Sequence, residues 1–278
     1  MSQPADLVPG LEAELLTIEP SRLSEQARRY GPAVALFVLG LAVWEAAVIV
    51  FKIQGFLLPK PSVIAVTFLR ELPVILPAGL FTLREAAGGF VLGCGLAILV
   101  ALATARWTVI AEGVMPFAIA VNSTPIVALA PIMNNWFGIT NPISKMSIVA
   151  VIVFFPVMIN MVRGLTQVNA GALELMRSYA ASQFTVLIRL RLPNSLPYLF
   201  SAFKVAGTLS VIGAVVSEYF GGSRNALGVY ISQQAALFHF AEAWAAIIVA
   251  CFAGIGFYVI HLLVERLVIP SHVSVRGE

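Results

Sequence analysis

Two interleaved series of side chains run through the stretch from Gly171 to Pro193. Glu174, Arg177, Ser178, Ala181, Ser182, Thr185 and Arg189 follow at intervals of 3, 1, 3, 1, 3 and 4 residues, and Leu173, Met176, Ala180, Phe184 and Leu187 at 3, 4, 4 and 3. Both series fit one amphipathic helix over about 171–191 with opposed polar and apolar faces, ended by Pro193. Glu174 stands near its start and Arg189 and Arg191 near its end, as the helix dipole favours. Acids, guanidiniums and hydroxyls in this order do recognition chemistry rather than bond breaking. The segment either tethers two membrane spans at the surface or docks a soluble partner.

A second set of polar side chains interrupts apolar stretches: Asn122, Ser123, Thr124, Asn134, Asn135, Asn160, Lys204, Ser210, Ser217 and Glu218. In lipid such groups are costly unless they pair or face a cavity, so each either makes an interhelical hydrogen bond or lines a solute path. Asn122-Ser123-Thr124 precedes Pro125, which removes a backbone donor and loosens the helix beside three hydrogen-bonding side chains. Asn134-Asn135-Trp136 has the makings of an outer gate, Lys204 is placed to snorkel toward the inner face, and Glu218 to hold the loop that follows it. Other chemistries lack their motifs. None of the four lysines follows a glycine, so there is no standard phosphate-cradling G-x-x-x-x-G-K-[ST] loop. His239, His261 and His272 have no metal-site spacing and read as interfacial side chains; Cys94 and Cys251 read as small packing residues.

The elements that must carry these residues follow from composition. Lys+Arg 17 and Asp+Glu 14 make charged residues only 11% of 278, where soluble domains carry about 25%. Apolar residues reach 59% and mean hydropathy is +0.93, which excludes a cytosolic enzyme, a DNA-binding domain and a disordered linker. The net charge of +3 follows from basic loops beside apolar spans and does not call for nucleic acid. The expected fold is an all-α membrane bundle with six spans at about 32–52, 82–104, 110–134, 143–165, 196–220 and 241–266, and an external loop at 53–81. Residues 1–31 form an N-terminal tail without the form of a cleavable signal peptide, 32–270 the membrane domain and 271–278 a C-terminal tail. With both termini inside, ten Lys/Arg fall on the inner side and six on the outer, which favours cytoplasmic termini. Gly89, Gly93, Ala97, Ala101 and Ala105 form a ridge of small residues on which another helix can pack closely, and Ala246, Ala250 and Gly254 repeat it.

The segment at 171–193 resembles the cytoplasmic loop of permease subunits of bacterial binding-protein-dependent ABC importers. Glu174 matches the acid of the family's Glu-Ala-Ala pattern and Leu190-Arg191-Leu192-Pro193 its ending, with the spacing kept; Leu175-Met176 stand for the alanine pair and Ala180 for a glycine. Trp44-Glu45 with Leu58-Pro59-Lys60-Pro61-Ser62, Thr124-Pro125 through Trp136-Phe137-Gly138, Phe155-Pro156 with Asn160 and Gly164, and Ser217-Glu218 with Leu227-Gly228 are similar to the nitrate, sulfonate and taurine branch. The resemblance implies a type I importer permease fold in a bacterial inner membrane. It implies a second permease copy, two cytoplasmic ATPase subunits that hold ATP and Mg on themselves, and an extracytoplasmic solute-binding protein. This chain itself would bind no cofactor and catalyse no reaction. On this resemblance Arg177, Ser178 and Arg189 are the polar contacts of the ATPase joint, Glu174 orients the helix, and Met176, Phe184 and Leu187 supply apolar contacts.

The branch moves small anions such as nitrate and alkyl sulfonates, and heterocycles such as pyrimidine vitamin precursors. Paired asparagines and a single cation, Lys204, suit a neutral hydrogen-bonding ring at least as well as an anion. Two rivals stay open on the residues: an ion-coupled carrier, and a membrane scaffold or enzyme. An enzyme would gather titratable groups in the bundle, whereas Lys204, Glu45 and Glu218 are expected at different depths.

Overall fold

The structure is a computed structural model that describes residues 22–107, 113, 116 and 125–269, apart from the side chains of 22–30, 106, 126 and 127. The tail up to residue 21, the segment from 270 onward, and Asn122, Ser123 and Thr124 lie outside the described residues. The described elements are α1 (Arg22–Val50), α2 (Pro61–Arg106), α3 (Ile126–Phe137), α4 (Pro142–Thr166), α5 (Ala170–Ser178), α6 (Gln183–Val186), a π turn (Leu187–Arg191), α7 (Leu192–Tyr219), α8 (Leu227–Ala236) and α9 (Phe240–Val268). Among the described residues five helical runs are long and apolar enough to cross a membrane: Gly31–Val50, Pro61–Ala105, Pro142–Thr166, Gln183–Tyr219 and Phe240–Val268. Of the expected span at 110–134, helix is described from Ile126 to Phe137.

The chain divides into two compact units, one holding α1 with the turn through Gln54 and residues Lys60–Ser62, the other Gly55–Pro59 and everything from Val63. In the first, Glu45 receives the Ser62 backbone N–H at 3.1 Å and its Oγ–H at 2.7 Å. Pro61 and Ser62 open α2, so this carboxylate sits on orphan amides at the positive end of a helix dipole. Glu45 and Ser62, one from each of the motif fragments at 44–45 and 58–62, therefore meet.

The external loop expected at 53–81 is corrected, since from Pro61 onward it is helix and runs unbroken into the span that follows. At 46 residues α2 is about 69 Å long, more than twice the hydrocarbon thickness. Pro73 and Pro77 lie inside it. Their neighbours Ile75 and Ala78 are buried against Leu227, Ile231, Ala243 and Ala246, and that packing outweighs the lost backbone bonds.

The core of the second unit is built by α2, α4 and α7. Ala86, Ala97 and Ala101 meet Val149, Val153 and Val157 of α4, and Ala202, Ala206 and Ala214 of α7 complete the cluster. A Cβ on Gly93 would stand 2.5 Å from the Ala150 carbonyl oxygen, so this face admits no side chain where α2 and α4 cross. The ridge expected on the second span is thus a contact surface for the fourth.

The single helix expected over 171–191 is also corrected. It divides after Ser178: Ala180 N–H bonds to Arg177 O at 2.9 Å and Ala181 N–H to Met176 O at 3.0 Å, the paired bonds of a Schellman cap, with Ala180 at φ +50°. Ser182 then caps the next helix by accepting from Thr185 N–H at 3.2 Å. Pro193 does not end the helix. The π turn at Leu187–Arg191 widens the turn whose Arg189 carbonyl a proline ring at 193 would crowd, and the chain passes on into α7.

Candidate functional site

The loop between α4 and α7 is pinned at its root and bare at its tip. Asn194 Nδ2 donates to Gly164 O at 2.7 Å and to Gln167 O at 3.0 Å, joining the end of α4 to the start of α7, and Asn169 caps α5 by accepting from Ala172 N–H at 3.1 Å. In α5 no residue is buried. Leu175 is 57% exposed, Tyr179 77% and Phe184 73%, interleaved with exposed Glu174, Arg177, Arg189 and Pro193 and half-buried Met176. Large apolar side chains stand here among charges that have no ion pair among the described residues, the kind of surface that a protein partner can cover. Ser178 is exposed and donates to Leu175 O at 2.8 Å on its own helix, while Leu187 packs on the helix core and supports the surface from behind.

At the other end of α7, some 26 residues and about 39 Å away, the bundle encloses a polar joint. Glu218 Oε2 accepts from Thr82 Oγ1 at 3.0 Å and from Gly228 N–H at 2.7 Å, and Thr82 Oγ1 accepts from Leu227 N–H at 2.9 Å. The carboxylate thus caps α8 across a turn, and a Cβ on Gly228 would stand 2.3 Å from Val215 O. Glu85 comes within hydrogen-bonding reach of Glu218, and Lys145 close enough to attract both acids. Lys145 Nζ donates at 2.6 Å to Asn134 Oδ1 and to Ile139 O, and Ser144 Oγ donates to the same Asn134 oxygen at 2.7 Å. Glu85, Ser144, Lys145 and Glu218 are all buried. Two acids and a lysine enclosed by α2, α3, α4, α7 and α8 fix those helices to one another rather than line an open path.

Several expectations on pathway residues change accordingly. Asn134 is turned into the joint, while Asn135 and Trp136 are exposed, so the three side chains are not brought together at one point. Asn160 bonds back to Pro156 O at 2.7 Å on its own helix. Lys204 does not snorkel; it pairs with Glu265 at 2.8 Å, tying α7 to α9. His261 is half-buried, its Nδ1 2.7 Å from Phe257 O and its ring centroid 4.7 Å from Phe90 and 5.1 Å from Phe257. Lys204 and Glu218 have separate partners, as expected, but Glu218 is not alone, since Glu85 and Lys145 lie beside it. The count of six outer basic residues includes Lys145, and no role is read for Glu85 from the sequence. The signal for both is their place at the edges of charge-free stretches, Glu85 just before 86–105 and Lys145 between 113–144 and 146–162, where a buried partner is the alternative to water. Among the described residues no group of three metal-ligating side chains occurs.

Residues 89–271 match the family described as the binding-protein-dependent transport system inner membrane component. The chain is 30% identical over 267 residues to the riboflavin transport system permease protein RibX of Chloroflexus aurantiacus, covering 93% of this chain and 99% of the relative. It is 29% identical over 243 residues to the formylaminopyrimidine transport permease protein ThiX of Halalkalibacterium halodurans, covering 84% and 93%. It is 28% identical over 229 residues to the putative aliphatic sulfonates transport permease protein SsuC of Bacillus subtilis, covering 80% of each. A crystal structure of an amino acid ABC transporter with histidines superposes with a TM-score of 0.59 at 15% identity, over 72% of this chain and 97% of that one. The chain belongs to the family of inner membrane components of binding-protein-dependent ABC transport systems, and its fold is that of a type I importer permease. Members of this family are transport components that work with ATPase and substrate-binding partners.

Proposed function

We propose that this chain pairs with a second copy of itself in a bacterial inner membrane, termini in the cytoplasm, and conducts a solute inward by alternating access. Two cytoplasmic ATPase subunits, which carry ATP and Mg, dock on the 170–191 loops, and an extracytoplasmic binding protein delivers the cargo. The carrying observation is the loop itself: Leu175, Tyr179 and Phe184 stand exposed beside Glu174, Arg177 and Arg189, which have no ion pair among the described residues, on a segment whose continuation is a helix long and apolar enough to cross a membrane. Closure of the ATPase pair would draw the two loops together and tilt α7. The chain's own part is mechanical, with no bond made or broken. For cargo, we favour a heterocyclic, vitamin-precursor-like solute over a sulfonate; two of the relatives above are named for riboflavin and formylaminopyrimidine. Asn122, Ser123 and Thr124 are assigned to the solute path.

The test is co-purification of tagged protein from its native membrane with an ATPase assay on wild type and Glu174→Arg. A P-loop ATPase that co-elutes with wild type and is lost or uncoupled in the variant supports the reading. Elution alone, with uptake driven by an ion gradient, would replace it with the ion-coupled carrier.

A further inference from the structure

A cleft of about 490 Å³ opens beside the polar joint, lined by Pro77, Phe81 and Arg84 of α2, by Arg224 and Asn225 of the α7–α8 turn, and by Tyr230 of α8. Arg84 and Arg224 are both exposed, and neither has a hydrogen bond or ion pair among the described residues. The acids that could have neutralised them are engaged elsewhere. Glu71 accepts from Arg70 at 3.1 Å and from the Tyr230 hydroxyl at 3.3 Å, Glu242 accepts from Arg70 at 2.9 Å, and Glu218 is buried under Gly228. The cleft therefore carries two uncompensated guanidiniums over an apolar floor. A guanidinium offers a planar fork of donors that fits a carboxylate in bidentate fashion, and two converging on one cleft select an anionic group strongly.

The position says whose anion it is. Arg224 follows the end of α7, and the docking loop precedes its start, so the cleft and the loop lie at opposite ends of a 28-residue helix. On the proposed orientation the cleft faces the extracytoplasmic side, where the binding protein arrives. Resting on that reading, we propose that the Arg84–Arg224 cleft receives an acidic side chain of the solute-binding protein and fixes how it docks. A Glu or Asp would place its carboxylate between the guanidiniums and its methylenes on Pro77 and Phe81. Neither arginine nor the cleft belongs to the joint or to the ATPase-docking loop.

The test uses the complete transporter in lipid nanodiscs and the binding protein that stimulates the wild-type ATPase. Arg84→Glu and Arg224→Glu are each expected to weaken binding of that protein by about tenfold at physiological salt and to flatten its salt dependence, with Arg→Lys variants intermediate. Reversing the matching acid on the binding protein to Arg should recover affinity toward the Glu variants. Elution as one species with the ATPase attached reports that a variant is assembled. Arg224 sits in an exposed turn, so its variant gives a reading even where Arg84→Glu does not assemble. Unchanged affinity in assembled variants overturns the proposal, as does unchanged affinity with a raised KM for a free anionic cargo, which would make the cleft a cargo site. If no ATPase accompanies the wild type, it is the permease reading that has failed.

Discussion

Glu218 and Gly228 lie ten residues apart and face one another across the α7–α8 turn, the carboxylate oxygen 2.7 Å from the glycine N–H. The contact needs both partners: an acid to receive the first amides of α8, and a residue without Cβ to let the backbone come that near. Gly228→Ala forces a methyl against Val215 O and is expected to cost about 3 kcal/mol, a fall in midpoint of roughly 6–12 °C for a chain of this size. Thermal unfolding in detergent, followed by size-exclusion fluorescence, measures it. A midpoint within about 2 °C of wild type would show that the joint tolerates a side chain.

Glu85 and Glu218 bring two acids together with one lysine, and Glu85 Oε2 and Glu218 Oε1 have no donor among the described residues. Glu85→Gln keeps the side chain's shape and supplies an amide donor beside Glu218 Oε1, so it should hold or raise the midpoint. Lys145→Met, which strips from two buried acids the one basic side chain beside them among the described residues, should cost about 3–5 kcal/mol. Equal losses in the two variants would contradict the electrostatic account.

Ala180 adopts φ +50° where glycine is the usual occupant of a helix C-cap. Ala180→Gly removes left-handed strain of about 1 kcal/mol while adding unfolded-state entropy, for a net gain between zero and about 1 kcal/mol. Ala180→Val should lose more than 1 kcal/mol in the loop and weaken ATPase retention. Amide exchange at Tyr179–Ser182 reports the loop itself.

Burial, with Glu71 beside it, pushes the Tyr230 phenol from its ordinary 10 up to about 12. The folded state then holds a proton that the unfolded state releases. This contribution to stability is complete below pH 10 and disappears between about pH 10 and 12. Tyr230→Phe should remove the corresponding loss of stability across that window; an unchanged slope would assign it to other groups.

The bundle was legible in the sequence because lipid leaves only helices as a solution for long uncharged segments, and the Gly89–Ala101 ridge even named the face that packs. The docking segment was legible in its position and polarity but not in its break. A heptad-like pattern carries across Ala180 without a phase change, and a Schellman cap built on alanine leaves no glycine to read. Loop 53–81 failed because Pro73 and Pro77 look the same in a turn as in a helix stabilised by packing. The joint failed for a different reason: Glu85 and Lys145 are distant in sequence from Glu218, and only the crossing of α2, α4 and α7 brings them together.

The π turn has a mechanical consequence. From Gln183 to Tyr219 the chain is one helical run of 37 residues, about 55 Å, broken in regularity only at Leu187–Arg191. A rod of that length tilted by about 5° at one end swings the other through about 5 Å, a full helical pitch. On the proposed reading, the widened turn lies close to where an ATPase would push, and Glu218 ties the far end of α7 to α8. Force delivered at Phe184 would then reach that far end as a lever stroke, its gearing set by the five residues of the π turn.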